Sequence, residues 1–304
     1  MKLALNMVVR NEQNRIRQSL GGIHRHFDEI VIVDTGSSDE TVAILEKEFA
    51  VNALKFTPDQ SDPHNIVPAR NLAIEHTKSP WILTLDADEV VKGTTIEALK
   101  AFKPPTDIAG LFMRWIDYRS QDPFEDYKLF VFRNSKNLTF MGRVHAVPQS
   151  AIRELGLNAE WFEASVWHLP ETAKIKHRKH YESQLKRGIA ETPHWYRYHW
   201  FLGYSLFKIG EIDLATSYLD QVCHACSKKF PVETLNAFMV KATIESGQGF
   251  HYRAAVTLRQ GATFYQQVHQ DFEVPINTRL ENWFNNAAEK AKRGIFFEVY
   301  QFCY

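Results

Sequence analysis

Three carboxylates arrive together at Asp86, Asp88 and Glu89, directly after the apolar run Trp81-Ile82-Leu83-Thr84-Leu85. Acids at i and i+2 of an extended chain share one face, so Asp86 and Asp88 can reach a single cation. Oxygen donors of this kind suit a hard divalent metal, Mn²⁺ or Mg²⁺. A solvated acidic turn is the plainer account of an isolated Asp-x-Asp, so the company of the motif decides the matter. Arg10-Asn11-Glu12 closes the apolar segment Leu3 to Val9, and Asp34 closes Glu29-Ile30-Val31-Ile32-Val33. Asp39 stands in the next turn, and Arg70-Asn71 precedes Trp81. Acids converging at this density repel an anion: two unit charges about 4 Å apart interact by roughly 4 kcal/mol at an effective dielectric of about 20. A nucleoside diphosphate therefore fits only with a divalent cation between, and with Arg70 as a further counter-charge. Asp34 is free to accept from a base or ribose. The set reads as a site for a nucleotide, a metal and a transferred group.

Strand ends must hold these residues. Leu3 to Val9, Glu29 to Asp34 and Trp81 to Leu85 read as buried strands, with a weak strand near Ala53 to Phe56. Helical spacing covers Asn11 to about His26 (Ile16, Leu20, Ile23), Glu40 to Phe49 and Pro68 to His76, and Ser38 or Asp39 is placed to cap the second. Strands alternating with helices at this spacing predict a parallel α/β sheet, whose carboxyl ends lie along one rim. Gly110 to Trp115 and Lys128 to Arg133 extend it as mixed strands. From about Ile175 helical spacing dominates, which divides the chain into an α/β domain (1–175) and an all-α domain (176–304). In the latter, Leu202-Gly203, Leu206, Gly210 and Ala215 follow tetratricopeptide-like spacing, and Ala242 and Ala254 repeat Gly203 and Ala215 at one offset. The offset exceeds a standard repeat, so inserted residues are expected near Ser227 to Pro231.

Composition narrows the partners. Lys plus Arg equals Asp plus Glu, 36 each in 304 residues, which argues against a nucleic-acid backbone as the main partner. Three cysteines, Cys223, Cys226 and Cys303, imply no disulfide framework and a reducing cytoplasm. The apolar run at the amino terminus is too short to span a membrane, and no long uncharged segment follows. A soluble, cytoplasmic protein is expected, with peripheral membrane contact left open.

Four ordered segments resemble the signatures of family 2 glycosyltransferases with the GT-A fold, near the branch of lipopolysaccharide-core glucosyltransferases: Met7–Glu12, Ile32–Thr41, Ala69–Ala73 and Leu85–Glu89. The resemblance covers about residues 1 to 170. It implies inverting transfer of a sugar from a nucleoside-diphosphate sugar, most often a UDP-sugar, to a glycan, lipid-linked or protein acceptor. By the same resemblance Asn11, Glu12 and Asp34 hold the nucleoside, Arg70 the diphosphate side and Asp88 the metal. Asp39, Asn71 and Asp86 belong to the nucleotide-sugar contacts, Asp86 nearer the ribose. Phe132-Arg133-Asn134 and Phe140–His145 resemble the acceptor-side loop, and Trp167-His168-Leu169-Pro170 the histidine that completes the metal shell. The loop departs from its pattern at Ala146, where the family carries Glu. If that Glu is the catalytic base, His145, Asp126 or Glu125 must replace it.

Two rival readings follow from the same residues. A non-catalytic nucleotide-sugar-binding scaffold would use its helices to hold a partner, and Ala146 speaks for it. A nucleotidyltransferase would want a glycine-rich phosphate loop after the first strand, which Arg10-Asn11-Glu12 does not supply. Elsewhere, the cationic run Lys174 to His180 suits either a diphosphate cover or a solvated helix face. Cys223-His224-Ala225-Cys226 lacks the second pair of a zinc site and reads as helical thiols. The aromatic segment Trp195 to Phe207 reads mostly as helical core.

Overall fold

Aliphatic runs make the strands of the first unit, and their order in the sheet decides where the acids meet. The computed structural model describes residues 1–117, 124–144, 146, 148–169, 178–270 and 280–297. The chain divides into two compact units, Met1–Lys176 and His177–Tyr304. In the first, strands β1 (Leu3–Val9), β2 (Glu29–Asp34), β3 (Leu54–Lys55), β4 (Trp81–Thr84), β5 (Glu89–Val90), β6 (Ile108–Asp117), β7 (Phe124–Arg133) and β8 (Asn158–His168) form one mixed sheet in the order β3-β2-β1-β4-β7-β6-β8-β5. β3, β2, β1 and β4 run parallel, β7 is antiparallel to β4 and β6, and β8 is parallel to β6. Helices α1 (Ile16–Gly21), α2 (Thr41–Phe49), α3 (Val67–His76), α4 (Gly93–Ala101) and α5 (Gln149–Glu154) connect them.

Both faces of the parallel strands are covered, which is why their sequences are nearly continuously apolar. Leu3, Leu5 and Met7 pack with Ile16, Leu20, Leu45 and Ile96 in the larger core, while Val31 and Val33 pack with Ala69 and Ala73 of α3. Burial of each such Leu, Ile or Val contributes about 1.5–3 kcal/mol. The expected first helix is shorter than its spacing suggested. Asn11 takes a left-handed φ of 57°, so the helix starts only at Ile16, and it ends at Gly21, short of a 3-10 turn at His24–His26. β6 and β7 run further than expected, and β8 was not read from the sequence. Its segment mixes polar and apolar residues and few of them are fully buried, so it carries little of the apolar signal of an interior strand. His168 is the last residue of this strand.

The second unit is helical among its described residues: α6 (Arg178–Glu191), α7 (Tyr196–Lys208), α8 (Ile212–Ala225), α9 (Pro231–Gly247), α10 (His251–Val268) and α11 (Leu280–Lys292). The links 209–211 and 248–250 each turn on a glycine with positive φ, Gly210 at 81° and Gly249 at 84°. Ala215, Ala242 and Ala254 are fully buried, which accounts for the repeated small residues: they stand where the helices press together. Residues 226–230 separate α8 from α9, in the stretch expected to carry the insertion. Tyr198, Trp200 and Phe201 are core, as their helical spacing predicts. Cys223 and Cys226 are free thiols, and burial pushes both pKa values up, which makes them poor thiolate ligands. Cys303 lies outside the described residues. No helix among the described residues is long and apolar enough to cross a membrane.

Candidate functional site

β4 carries the chain to a tight turn in which the Glu89 amide donates to the Asp86 carbonyl at 3.0 Å. The Glu89 carboxylate closes the turn from inside, accepting from the Asp86 amide at 2.9 Å and from the Trp115 indole N–H at 2.9 Å. Lys128 Nζ lies 3.6 Å from Glu89 Oε1 and 3.5 Å from the centre of the Trp115 ring. Burial pushes the Glu89 carboxyl up; Lys128 opposes that shift and Asp86 and Asp88 reinforce it. Glu89 is thus an internal anchor of the turn, and the sequence's picture of it as a third acid facing the ligand is corrected. A carboxylate already engaged by a backbone amide, an indole and an ammonium is not placed to bind a cation.

The turn leaves Asp86 and Asp88 outward, each already beside a cation. Arg70 Nη2 donates to Asp86 Oδ1 at 2.5 Å, and its guanidinium lies 5.2 Å from the centre of the Phe140 ring. Asp88 Oδ2 lies 3.5 Å from Arg15 Nη1 and 3.4 Å from His168 Nε2. Arg15, nearly buried, also pairs with Glu12. The unrelieved acidic rim that the sequence suggested is therefore not what the fold builds: each acid of the turn has a basic partner. Arg70 in particular reaches Asp86, so its charge is shared with that acid before any phosphate arrives.

His168 reaches the site from the other side of the sheet. It is in register with Asp117 on β6 and with Glu89 on β5, and just past it Leu169 N donates to Asp88 O at 2.8 Å. Its Nδ1 lies 3.2 Å from Asp117 Oδ1, and its ring centre is 4.8 Å from that of Trp115. Burial disfavours the imidazolium, but the hydrogen bonds and charges of Asp88 and Asp117 outweigh it, so the His168 pKa is raised.

The nucleoside-side residues gather where the loops after β1 and β2 meet. Asn11 N donates to Ser37 Oγ at 2.9 Å, and Asn11 Oδ1 accepts from Ser38 N at 2.8 Å. Asp34 is buried, and its carboxylate accepts from Gly36 N at 3.2 Å, Ser37 N at 3.1 Å and Ser37 Oγ at 2.5 Å. Gly36 permits this tight turn at φ 100°. Asp34 is consequently not the free acceptor that its strand-end position implied. Asp39 accepts from Thr41 N at 2.9 Å and Gln13 N at 3.2 Å. Burial opposes its ionised form, but these hydrogen bonds prevail and lower its pKa. It ties the two loops together; the N-cap of α2 is Glu40, without a side-chain cap bond, and neither Ser38 nor Asp39 holds that position. Asn71 is corrected as well: Nδ2 donates to Phe140 O at 3.2 Å and Oδ1 accepts from Phe140 N at 2.8 Å, so its amide is spent on pinning the loop after β7.

The base candidates separate by sheet register. Trp115 is paired with Asp126 and Ile116 with Glu125. Directly opposed residues share a face, so Asp126 stands on the face of Trp115, Asp117 and His168. Glu125 stands on the opposite face, 3.7 Å from Arg114. Asp126 is nearly buried, and Oδ1 accepts from Tyr127 N at 2.6 Å. Ala146 packs on the apolar cluster of Val67, Ile74, Ile82, Phe132 and Phe140. His145 lies outside the described residues, as do residues 174–177 of the cationic run.

Residues 6–147 match the profile of the family described as Glycosyl transferase family 2. Over that segment the chain is similar to family 2 glycosyltransferases. Among curated relatives of the chain, a TPR repeat-containing protein of Synechococcus elongatus is 28% identical over 192 residues, 62% of this chain and 45% of that protein. The SPbeta prophage-derived glycosyltransferase SunS of Bacillus subtilis is 27% identical over 160 residues, 51% of this chain and 37% of SunS. The chain thus spans less than half the length of these relatives. Among solved structures, S. aureus TarS 1–349 in complex with UDP-GlcNAc aligns at 13% identity and a TM-score of 0.47, covering 98% of this chain and 93% of that one. The matched segment ends before β8, so His168 lies outside the family profile.

Sequence reasoning missed Arg15, Trp115, Asp117 and Lys128. Asp117 was discoverable, since it ends a strand on an acid as Asp34 does. Arg15 and Lys128 carried no signal, because a lone cation beside a helix or on a strand has many uses.

Proposed function

We propose that the protein is a metal-dependent, inverting glycosyltransferase that moves a sugar from a UDP-sugar to a glycan, lipid-linked or protein acceptor. The observation that carries the reading is the approach of Asp88 Oδ2 and His168 Nε2 to 3.4 Å at one rim of a family 2 domain. Two ligands in cis positions on a cation with bonds of about 2.1 Å lie about 3 Å apart, so this pair fits a shared metal. Among the described residues no group of three or more His, Cys, Asp or Glu side chains is arranged to hold an ion. Two protein donors still suit the chemistry, since such cations complete their shells with substrate phosphates and water. Imidazole in the pair favours Mn²⁺ over Mg²⁺.

A bound divalent cation would neutralise the departing diphosphate. The chain's own residues then have distinct tasks. Asn11 and Asp34 shape the loop pair against which the nucleoside would lie. Arg70, held by Asp86, keeps a guanidinium at the diphosphate side. Asp126 is the acid whose register best suits the general base that takes the acceptor proton as the acceptor attacks the anomeric carbon from the opposite face. The helical unit would position the acceptor or a partner, in a protein acting in the cytoplasm.

A panel of nucleotide sugars with Mn²⁺, read by mass spectrometry, tests the reading. Slow donor hydrolysis is expected, with UDP-sugars preferred. Asp88→Asn should weaken Mn²⁺-linked UDP binding by orders of magnitude, as calorimetry with and without EDTA would register. Equal affinity in EDTA and Mn²⁺ would overturn the metal. The scaffold reading keeps one observation in its favour, the packing of Ala146 in an apolar cluster. Donor binding with no turnover across the panel would select it.

A further inference from the structure

Behind His168, on the side away from Asp88, stands an acid that is no part of the Asp-x-Asp pattern. Asp117 closes β6, is nearly buried, and stands beside His168 across the β6–β8 ladder. Its Oδ1 is 3.2 Å from His168 Nδ1. An ionised carboxylate only accepts, so Nδ1 must carry the hydrogen. A neutral ring with that hydrogen on Nδ1 has its lone pair on Nε2, the nitrogen that faces Asp88 at 3.4 Å, and a cation between Nε2 and Asp88 would select this tautomer over the one that donates to Asp88. Trp115, two residues earlier on the same face, lies against the ring with centres 4.8 Å apart and planes tilted by 31°, which restricts rotation from its side. The imidazole is thus held by a hydrogen bond at one nitrogen, a ring on one face, and its strand.

We propose that Asp117 is a positioning residue that sets the tautomer and orientation of His168, so that Nε2 is presented as a metal ligand beside Asp88. This rests on the metal-dependent reading above. Carboxylate partners behind ligating histidines are a general device, and their loss costs roughly 10- to 100-fold in metal affinity. The site would accordingly contain a chain, Asp117 to His168 to cation to Asp88, in which only the last two side chains touch the ion.

The test uses the full chain and UDP as probe, titrated by calorimetry in Mn²⁺ and in EDTA. Asp117→Ala should reduce the Mn²⁺-linked gain in UDP affinity by about 10- to 100-fold and leave the affinity in EDTA unchanged. Asp117→Asn, which keeps an acceptor but not the charge, should recover part of the loss. The double variant Asp117→Ala/His168→Ala should lose no more than His168→Ala alone, because the two act through one ligand. A purely structural Asp117 would weaken UDP binding in EDTA as well, and its losses would add to those of His168→Ala. Either result overturns the proposal. Should Asp117→Ala not fold, ¹⁵N spectra of Asp117→Asn decide: the parent's His168 should show the Nδ1–H tautomer and the variant a mixture, and an unchanged tautomer overturns the proposal. If His168→Ala itself leaves the Mn²⁺-linked gain intact, the metal reading fails and takes this one with it. If His168→Ala abolishes the gain while Asp117→Ala does not, only the positioning role fails.

Discussion

Asp126 and Glu125 are neighbours in sequence with opposite prospects. Pairing with Trp115 puts Asp126 on the face that carries Asp117 and His168, whereas Glu125 faces Arg114 on the other side of the sheet. General-base catalysis is worth about 10² to 10⁴ in rate. Asp126→Asn should therefore cost that much in turnover with donor affinity retained, and Glu125→Gln should stay near the parent rate. His145→Ala belongs in the same series as the remaining sequence candidate. Normal turnover in Asp126→Asn would return the base to His145 or leave the protein a binder. The acids of the turn are matched by Arg15, Arg70 and Lys128, so a ligand meets a nearly balanced surface, and a cation must compete with His168's proton and Arg15 for Asp88.

Loops in the first unit are set by side-chain amides and carboxylates that sequence reasoning assigned to ligand. Asn71 is the clearest case. Removing its two hydrogen bonds to Phe140 in Asn71→Ala leaves a backbone N–H and C=O without partners, at about 1–3 kcal/mol. Denaturant unfolding should show that loss while UDP affinity in EDTA changes little. The opposite pattern, stability kept and binding gone, would restore Asn71 as a ligand. In the helical unit His199 makes a parallel case. Its Nε2 donates to the Pro193 carbonyl at 3.0 Å, and its Nδ1 is buried with no hydrogen-bond partner, between the rings of Tyr196 and Tyr218. Burial lowers its pKa, with the Pro193 hydrogen bond opposing. The unfolded chain then takes up the proton first as the pH falls. The neutral ring's contribution is complete above the unfolded pKa of about 6.5 and is lost as the pH drops from there toward the lower folded value. Unfolding free energies measured on both sides of that range should fall more for the parent than for His199→Gln, and equal slopes would refute the assignment.

Across the whole molecule the two units carry different work in the proposed scheme. The rim residues named above all belong to the first unit, and the helices add surfaces of the kind that stacked helix pairs offer to partners. A fragment ending at Lys176 should bind UDP with Mn²⁺ as the full chain does, and fail to transfer to acceptor. Full transfer by the fragment would remove the helical unit from the reaction. An insoluble fragment would mean that the helices are needed to cover apolar surface of the catalytic unit. Donor hydrolysis without transfer is the expected behaviour.

From the sequence alone, the order of strands and helices as far as β4, the strands β6 and β7, and the acids near the ends of β2 and β4 were legible. These follow from local pattern: apolar runs, helical spacing and strand-end polarity repeat within a few residues of themselves. The family resemblance was legible for the same reason, as ordered short segments. What the tertiary structure decided is which of the polar residues are occupied. Asp34, Asp39, Asn71 and Glu89 have the residue types of ligands, yet their oxygens and amides are used by nearby backbone and side chains, some of them far away in sequence. Asp117 and Asp126 acquired their places through sheet register, since a shift of one residue would have turned both to the other face. His168 meets Asp88 across 80 residues of chain because β8 joins the sheet beside β6, a pairing that no local pattern encodes.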